Sequence, residues 1–166
     1  MIVSEEPWLR GPVAGIIAEL QPAAHELIFA REELERIFAA IADDMVWQRP
    51  HGIASIGYHI RHCAGSTHRM LIYARGRMLS PGQLQQLADE KDADPRLGAA
   101  DLLRIATDAI DAALAFIRNT KAAQLDEERL VGRKQIRTNL RGLLYEIAIH
   151  TARHVGQLAT TAKVLR

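Results

Sequence analysis

A chain of 166 residues is long enough to bury one continuous core and reads as a single domain over residues 1–166. With 21 Lys and Arg against 20 Asp and Glu, the formal net charge of +1 gives no electrostatic case for nucleic acid or an acidic membrane surface, which leaves a small molecule as the expected partner. One cysteine, Cys63, excludes an intramolecular disulfide; the start Met1-Ile-Val-Ser-Glu-Glu-Pro7 has no basic and then apolar leader, and no apolar run reaches about eighteen residues, so a cytoplasmic protein is expected.

Apolar residues recur at helical spacing, which predicts an all-α protein built on four long helices. After a lead-in with a short helical piece (Val13, Ile16, Ile17, Leu20), Pro22 suits the first turn of helix one, whose core face is Leu27, Ile28, Leu34, Ile37, Phe38 and Ile41. Asp43, Asp44 and Pro50 mark its exit. Helix two runs from about Ser55, an N-cap, to Gly76, with Ile56, Ile60, Cys63, Thr67, Met70 and Ala74 on one stripe. The following stretch to Gly98 is too long for a tight turn. Its Ser80-Pro81 pair predicts a short helix to Ala88, and the whole forms a long connection between helices two and three. Helix three spans about Ala99 to Asn119 with Leu103, Ala106, Ile110, Ala113, Leu114 and Ile117 inward. A polar link with an extended piece between Leu130 and Ile136 leads to Thr138, taken as the N-cap of helix four, which continues to the C-terminus on Leu140, Leu144, Ile147, Leu158 and Ala162. The architecture expected is a four-helix bundle.

The chemistry concentrates in two segments. In Glu146-Ile-Ala-Ile-His150-Thr-Ala-Arg-His154-Val-Gly-Gln157, the histidines are four residues apart, so their imidazoles leave the helix in the same direction and are able to chelate one ion. Both lie on the flank of the apolar stripe, at the edge of the bundle interior. Two nitrogens do not complete a coordination sphere, and further ligands are sought in Ser55-Ile-Gly-Tyr58-His59-Ile-Arg-His62-Cys63. By angle His59 lies nearer the apolar stripe than His62, and the two differ by only about 60°.

Ser55-Ile-Gly-Tyr-His-Ile-Arg-His62-Cys-Ala-Gly-Ser resembles the second helix of the DinB-like family of metal-binding four-helix bundles, where an aromatic precedes a ligand histidine by four residues. The His150 to Gln157 segment is similar to that family's last helix, and the resemblance covers the chain from about Pro7. It implies a three-histidine site of His62, His150 and His154 for a divalent transition metal, nickel or zinc being the expected ions. It also implies metal-dependent hydrolysis, or transfer of a low-molecular-weight thiol to an electrophile. His59 stays open as replacing or joining His62.

Three neutral imidazoles leave a 2+ ion its full charge and an open position, a pattern of catalytic more than structural sites, at which water or a thiol loses its proton more readily. Glu146, Tyr58, Arg153 and Gln157 are near enough in sequence to serve as acid or base, and Glu146 could instead orient His150. The alternative reading is a non-catalytic metal- or small-molecule-binding module. His25, placed roughly 15 Å from the level of His62 by pairing helices one and two antiparallel, is too far to ligate. His51 reads as a loop residue, His68 as solvated, Cys63 as a buried thiol, and Trp8 and Trp47 as packing residues. Ile72 and Ile149, apolar outside the main stripes, point to a homodimer.

Overall fold

The computed structural model describes residues 5–166; residues 1–4, part of the segment read as lacking a leader, lie outside them. Four long helices are present: α1 (Gln21–Phe38), α2 (Ile56–Ala74), α4 (Ala99–Arg118) and α5 (Leu140–Val164). The nine-residue α3 (Pro81–Asp89) falls within the long α2–α4 connection. A hairpin of β1 (Glu128–Val131) and β2 (Ile136–Asn139) precedes α5, with Val131 opposite Ile136 and Glu128 opposite Asn139. This is the all-α four-helix bundle that the pattern predicts; the piece read as extended from Leu130 to Ile136 is a hairpin instead, with a turn over residues 132–135 between its strands. Among the described residues, no helix is long and apolar enough to cross a membrane.

Local chemistry starts and stops the elements. Pro22 sits in the first turn of α1, where its missing N–H costs nothing. Ser55 Oγ accepts from Tyr58 N at 3.1 Å to cap α2, and Gly76 leaves the helix at φ 70°, a left-handed exit that favours glycine. Ser80 and Gln83 form a reciprocal capping box on α3. The α5 cap departs from the sequence reading. Thr138 is paired in β2, and Asn139 Oδ1 accepts from Gly142 N at 2.8 Å instead, because the hairpin carries the extended chain one residue further before the helix begins.

The core is a single cluster of leucine, isoleucine and alanine. Leu20, Leu27, Leu102, Ile117, Leu125 and Leu144 are fully buried, and truncating any of these to alanine costs about 2–5 kcal/mol. Helices α1 and α2 each pack against both α4 and α5, so α1 and α2 stand diagonally across the bundle. The antiparallel α1–α2 pairing assumed from sequence is therefore not the packed pair. His25 meets the N-terminal lead-in, its Nε2 2.9 Å from Gly11 O, and stays apart from the other histidines. The consequence for function is that α2 and α5 are direct neighbours, which brings the two histidine-bearing segments face to face.

Candidate metal centre

His62 on α2 and His150 and His154 on α5 each offer a ring nitrogen, and these atoms lie within 4.8 Å of one another. Ring centroids are 4.8 Å apart for His62 and His154, 5.2 Å for His62 and His150, and 4.5 Å for the α5 pair. The spacing works because i and i+4 residues of α5 reach toward one point and α2 supplies the third from the facing helix. His59 is not in this trio. It is buried behind it, with Nδ1 3.1 Å from His154 Nδ1.

Each ring is turned by what it touches. Glu90 Oε2 lies 3.0 Å from His62 Nδ1, so that nitrogen carries the proton it donates and Nε2 keeps a free lone pair. The His59–His154 contact joins two Nδ1 atoms, one of which donates. His150 Nε2 is buried with no hydrogen-bond partner. An orphaned ring nitrogen between two other imidazoles is expensive unless something accepts from or donates to it, and a cation coordinated there resolves the deficit.

The electrostatics favour uncharged imidazoles at His150 and His154. Burial, followed by the charges of His150, His62, His59 and Arg153, holds His154 down to about 4 from 6.5. His150 is lowered by burial and then by His62 and Arg153, against an opposing pull from Glu146. His59 is lowered by burial and by His62. Glu90 behaves oppositely: burial would raise its carboxyl, but hydrogen bonds from His62 and Arg69 outweigh that and hold it below the usual carboxylate range. Its side chain is 7 % exposed and that of Arg69 12 %, so the Arg69–Glu90 ion pair behind His62 is nearly dry. Gly65 makes room for it, since a Cβ there would collide with Glu90 Oε1.

Glu90 is the residue that sequence reasoning missed. It follows α3 directly, in the run Asp89-Glu90-Lys91-Asp92, and spacing does not distinguish it from its acidic neighbours. Glu146, expected to orient His150, makes no hydrogen bond to it; its influence there is through charge alone. The carboxylate behind the cluster comes from the connection instead. Tyr58 stacks on His62 with centroids 5.6 Å apart and planes at 5°, while Arg153 and Gln157 are exposed. Cys63 is a buried thiol pushed up to about 11 by burial, as its position on the stripe implies. His68 is exposed and His51 lies in a short turn.

Fold and site together define a four-helix bundle with a three-histidine cluster between facing helices. The sequence profile of the DinB superfamily matches residues 26–158, and the chain belongs to that superfamily. Its fold is similar to that of YfiT from Bacillus subtilis, described as a probable metal-dependent hydrolase with an unusual four-helix bundle topology. That likeness is at 16% identity over 92% of this chain and 91% of the other, with a TM-score of 0.63. A protein from Streptococcus pneumoniae is similar at 15% identity over 87% of this chain and 88% of its own, with a TM-score of 0.65. No curated protein sequence matches the chain.

Proposed function

We propose that this protein holds one divalent transition ion, nickel or zinc, on His62, His150 and His154 and uses it to act on a small molecule, by hydrolysis or by transfer of a low-molecular-weight thiol. The observation that carries the reading is the convergence of three histidine nitrogens within 4.8 Å, on a set that includes His150, whose buried Nε2 has no hydrogen-bond partner. Membership of the DinB superfamily and the fold shared with YfiT support it. When bound, a 2+ ion on neutral imidazoles supplies Lewis acidity that eases deprotonation of a water or thiol.

The chain's own groups set the stage for that chemistry. Glu90 accepts from His62 Nδ1 and fixes its tautomer, and Arg69 keeps Glu90 ionised for the purpose. His59 pairs with His154 Nδ1 and locks the second ring. Tyr58 covers one face of His62 and restricts access from that side. Its hydroxyl has no hydrogen-bond partner among the described residues and is available to pass a proton to a substrate lying against His62.

Metal analysis of purified protein, followed by a screen of the nickel- and zinc-loaded forms with small thiols and electrophiles, tests the reading. About one equivalent of metal, and turnover that disappears in His150→Ala, are expected. Full metal occupancy in the His150→Ala, His154→Ala double variant would sink it.

A further inference from the structure

An open cleft of about 700 Å³ is lined by Trp47, Arg49, Ser55, Tyr58, Lys91 and Asp92 among others, and by none of the three clustered histidines. Both of its walls are fastened to His62. Tyr58 is one wall and stacks on the His62 ring; Lys91 and Asp92 are the other and follow Glu90, which is hydrogen-bonded to His62 Nδ1. A molecule seated in the cleft therefore touches Tyr58, the ring that stacks on His62.

The lining has a definite chemistry. Trp47 is held still, its Nε1 donating to Leu97 O at 3.1 Å and its ring lying across Gly57, where any Cβ would collide with it. Two aromatic rings, Trp47 and Tyr58, give flat apolar surface. Arg49 and Lys91 have no ion-pair partner among the described residues, whereas Asp92 is the single acid on the lining. Arg61 adds cationic character close by, since its guanidinium donates to Asp92 O. By contrast, the apolar depression around Pro22, Tyr145 and Ile149 has one charged residue, Glu26.

We infer that this cleft, whose Tyr58 wall stacks on His62, binds a small molecule with a flat apolar body and a negative charge. It rests on the proposed centre only in reading that molecule as the substrate. The volume suits it, since ligand sites are typically a few hundred Å³ with a few polar groups that set orientation. The aromatic pair holds the body, and Arg49 and Lys91 hold the anion at the mouth.

The test uses metal-free protein carrying Trp8→Phe, which leaves Trp47 as the only tryptophan; Trp8 is 62 % exposed, so its replacement does not disturb the core. 4-Nitrobenzoate should quench Trp47 fluorescence and bind at least five-fold more tightly than the neutral 4-nitrobenzamide. Arg49→Met with Lys91→Met should bring the acid down to the affinity of the amide, while Arg133→Met with Lys134→Met, on the distant hairpin turn, should leave the difference intact. Absence of quenching, equal affinity for acid and amide, or equal loss in both double variants overturns the inference. Metal titration of the same protein reads the centre separately. Intact metal binding without quenching removes the pocket alone, and quenching with no metal binding removes the centre alone.

Discussion

Glu90 Oε2 stands 3.0 Å from His62 Nδ1, joining the connection after α3 to a histidine of α2. A carboxylate on the far nitrogen of a ligating histidine fixes its tautomer and raises its basicity. Glu90→Gln should lower metal affinity by about 10- to 100-fold, measured by competition with a chelator. It should also lower stability by up to about 3 kcal/mol, because Arg69 loses the carboxylate it is buried against. Unchanged affinity would remove Glu90 from the role.

Gly65 tests the same contact without altering a polar group. An added Cβ would collide with Glu90 Oε1 and lie 2.8 Å from Arg69 Nη1. Gly65→Ala should displace Glu90 from His62 and weaken metal binding in the same direction as Glu90→Gln, with a stability loss of about 1–3 kcal/mol from overpacking. A variant that is less stable but binds metal normally would show that Glu90 matters for packing only.

His62 and His59 separate ligand from supporting residue. His62→Ala, His150→Ala and His154→Ala should each remove most metal binding, whereas His59→Ala should retain it with a loss of about 10- to 100-fold. Calorimetric titration with zinc and nickel decides the order. A His59→Ala variant without metal beside a His62→Ala variant that keeps it would reverse the assignment.

The histidine cluster should also set the acid limit of the metal-free protein. His154 titrates near 4 in the fold and 6.5 when unfolded, and His59 and His150 are shifted in the same direction. Between those values the unfolded chain binds protons that the folded chain refuses, so stability rises with pH there. The contribution is complete above about 6.5 and lost as pH falls toward 4, at most about 3 kcal/mol from His154. Urea unfolding at pH 7.5, 5.5 and 4.5 should show the decline, and a flat profile would contradict it.

The proposed homodimer has a simple readout. Ile149 is 51 % exposed on α5, in an apolar depression with Pro22, Ala23 and Ala148, whereas Ile72 is half-buried within its own bundle. Light scattering at micromolar concentration should give twice the 18.5 kDa chain mass, and Ile149→Lys should return it toward one chain. A monomer mass for the unaltered protein would end the proposal.

Sequence alone determined the helices and the convergence of His150 and His154. Helical periodicity places Leu144, Ile147 and Leu158 on one side of α5, and the four-residue spacing of His150 and His154 obliges them to point together; neither fact depends on what lies across the bundle. The Ser55 and Ser80 caps were legible for the same reason, being contacts over three residues. Tertiary structure decided the rest. Which helices are neighbours follows from how the connections cross the bundle ends, and it left α1 and α2 on a diagonal where local pattern suggested a pair. The hairpin moved the α5 cap from Thr138 to Asn139 by holding one more residue extended. The His59 and His62 rings differ by too small an angle for periodicity to rank them, and their roles are set by partners from elsewhere in the chain: His154 for one, Glu90 for the other. Glu90 is indistinguishable from Asp89 in a charged run until Arg69 and the space above Gly65 select it, because a long-range contact between polar side chains leaves no periodic trace in the sequence.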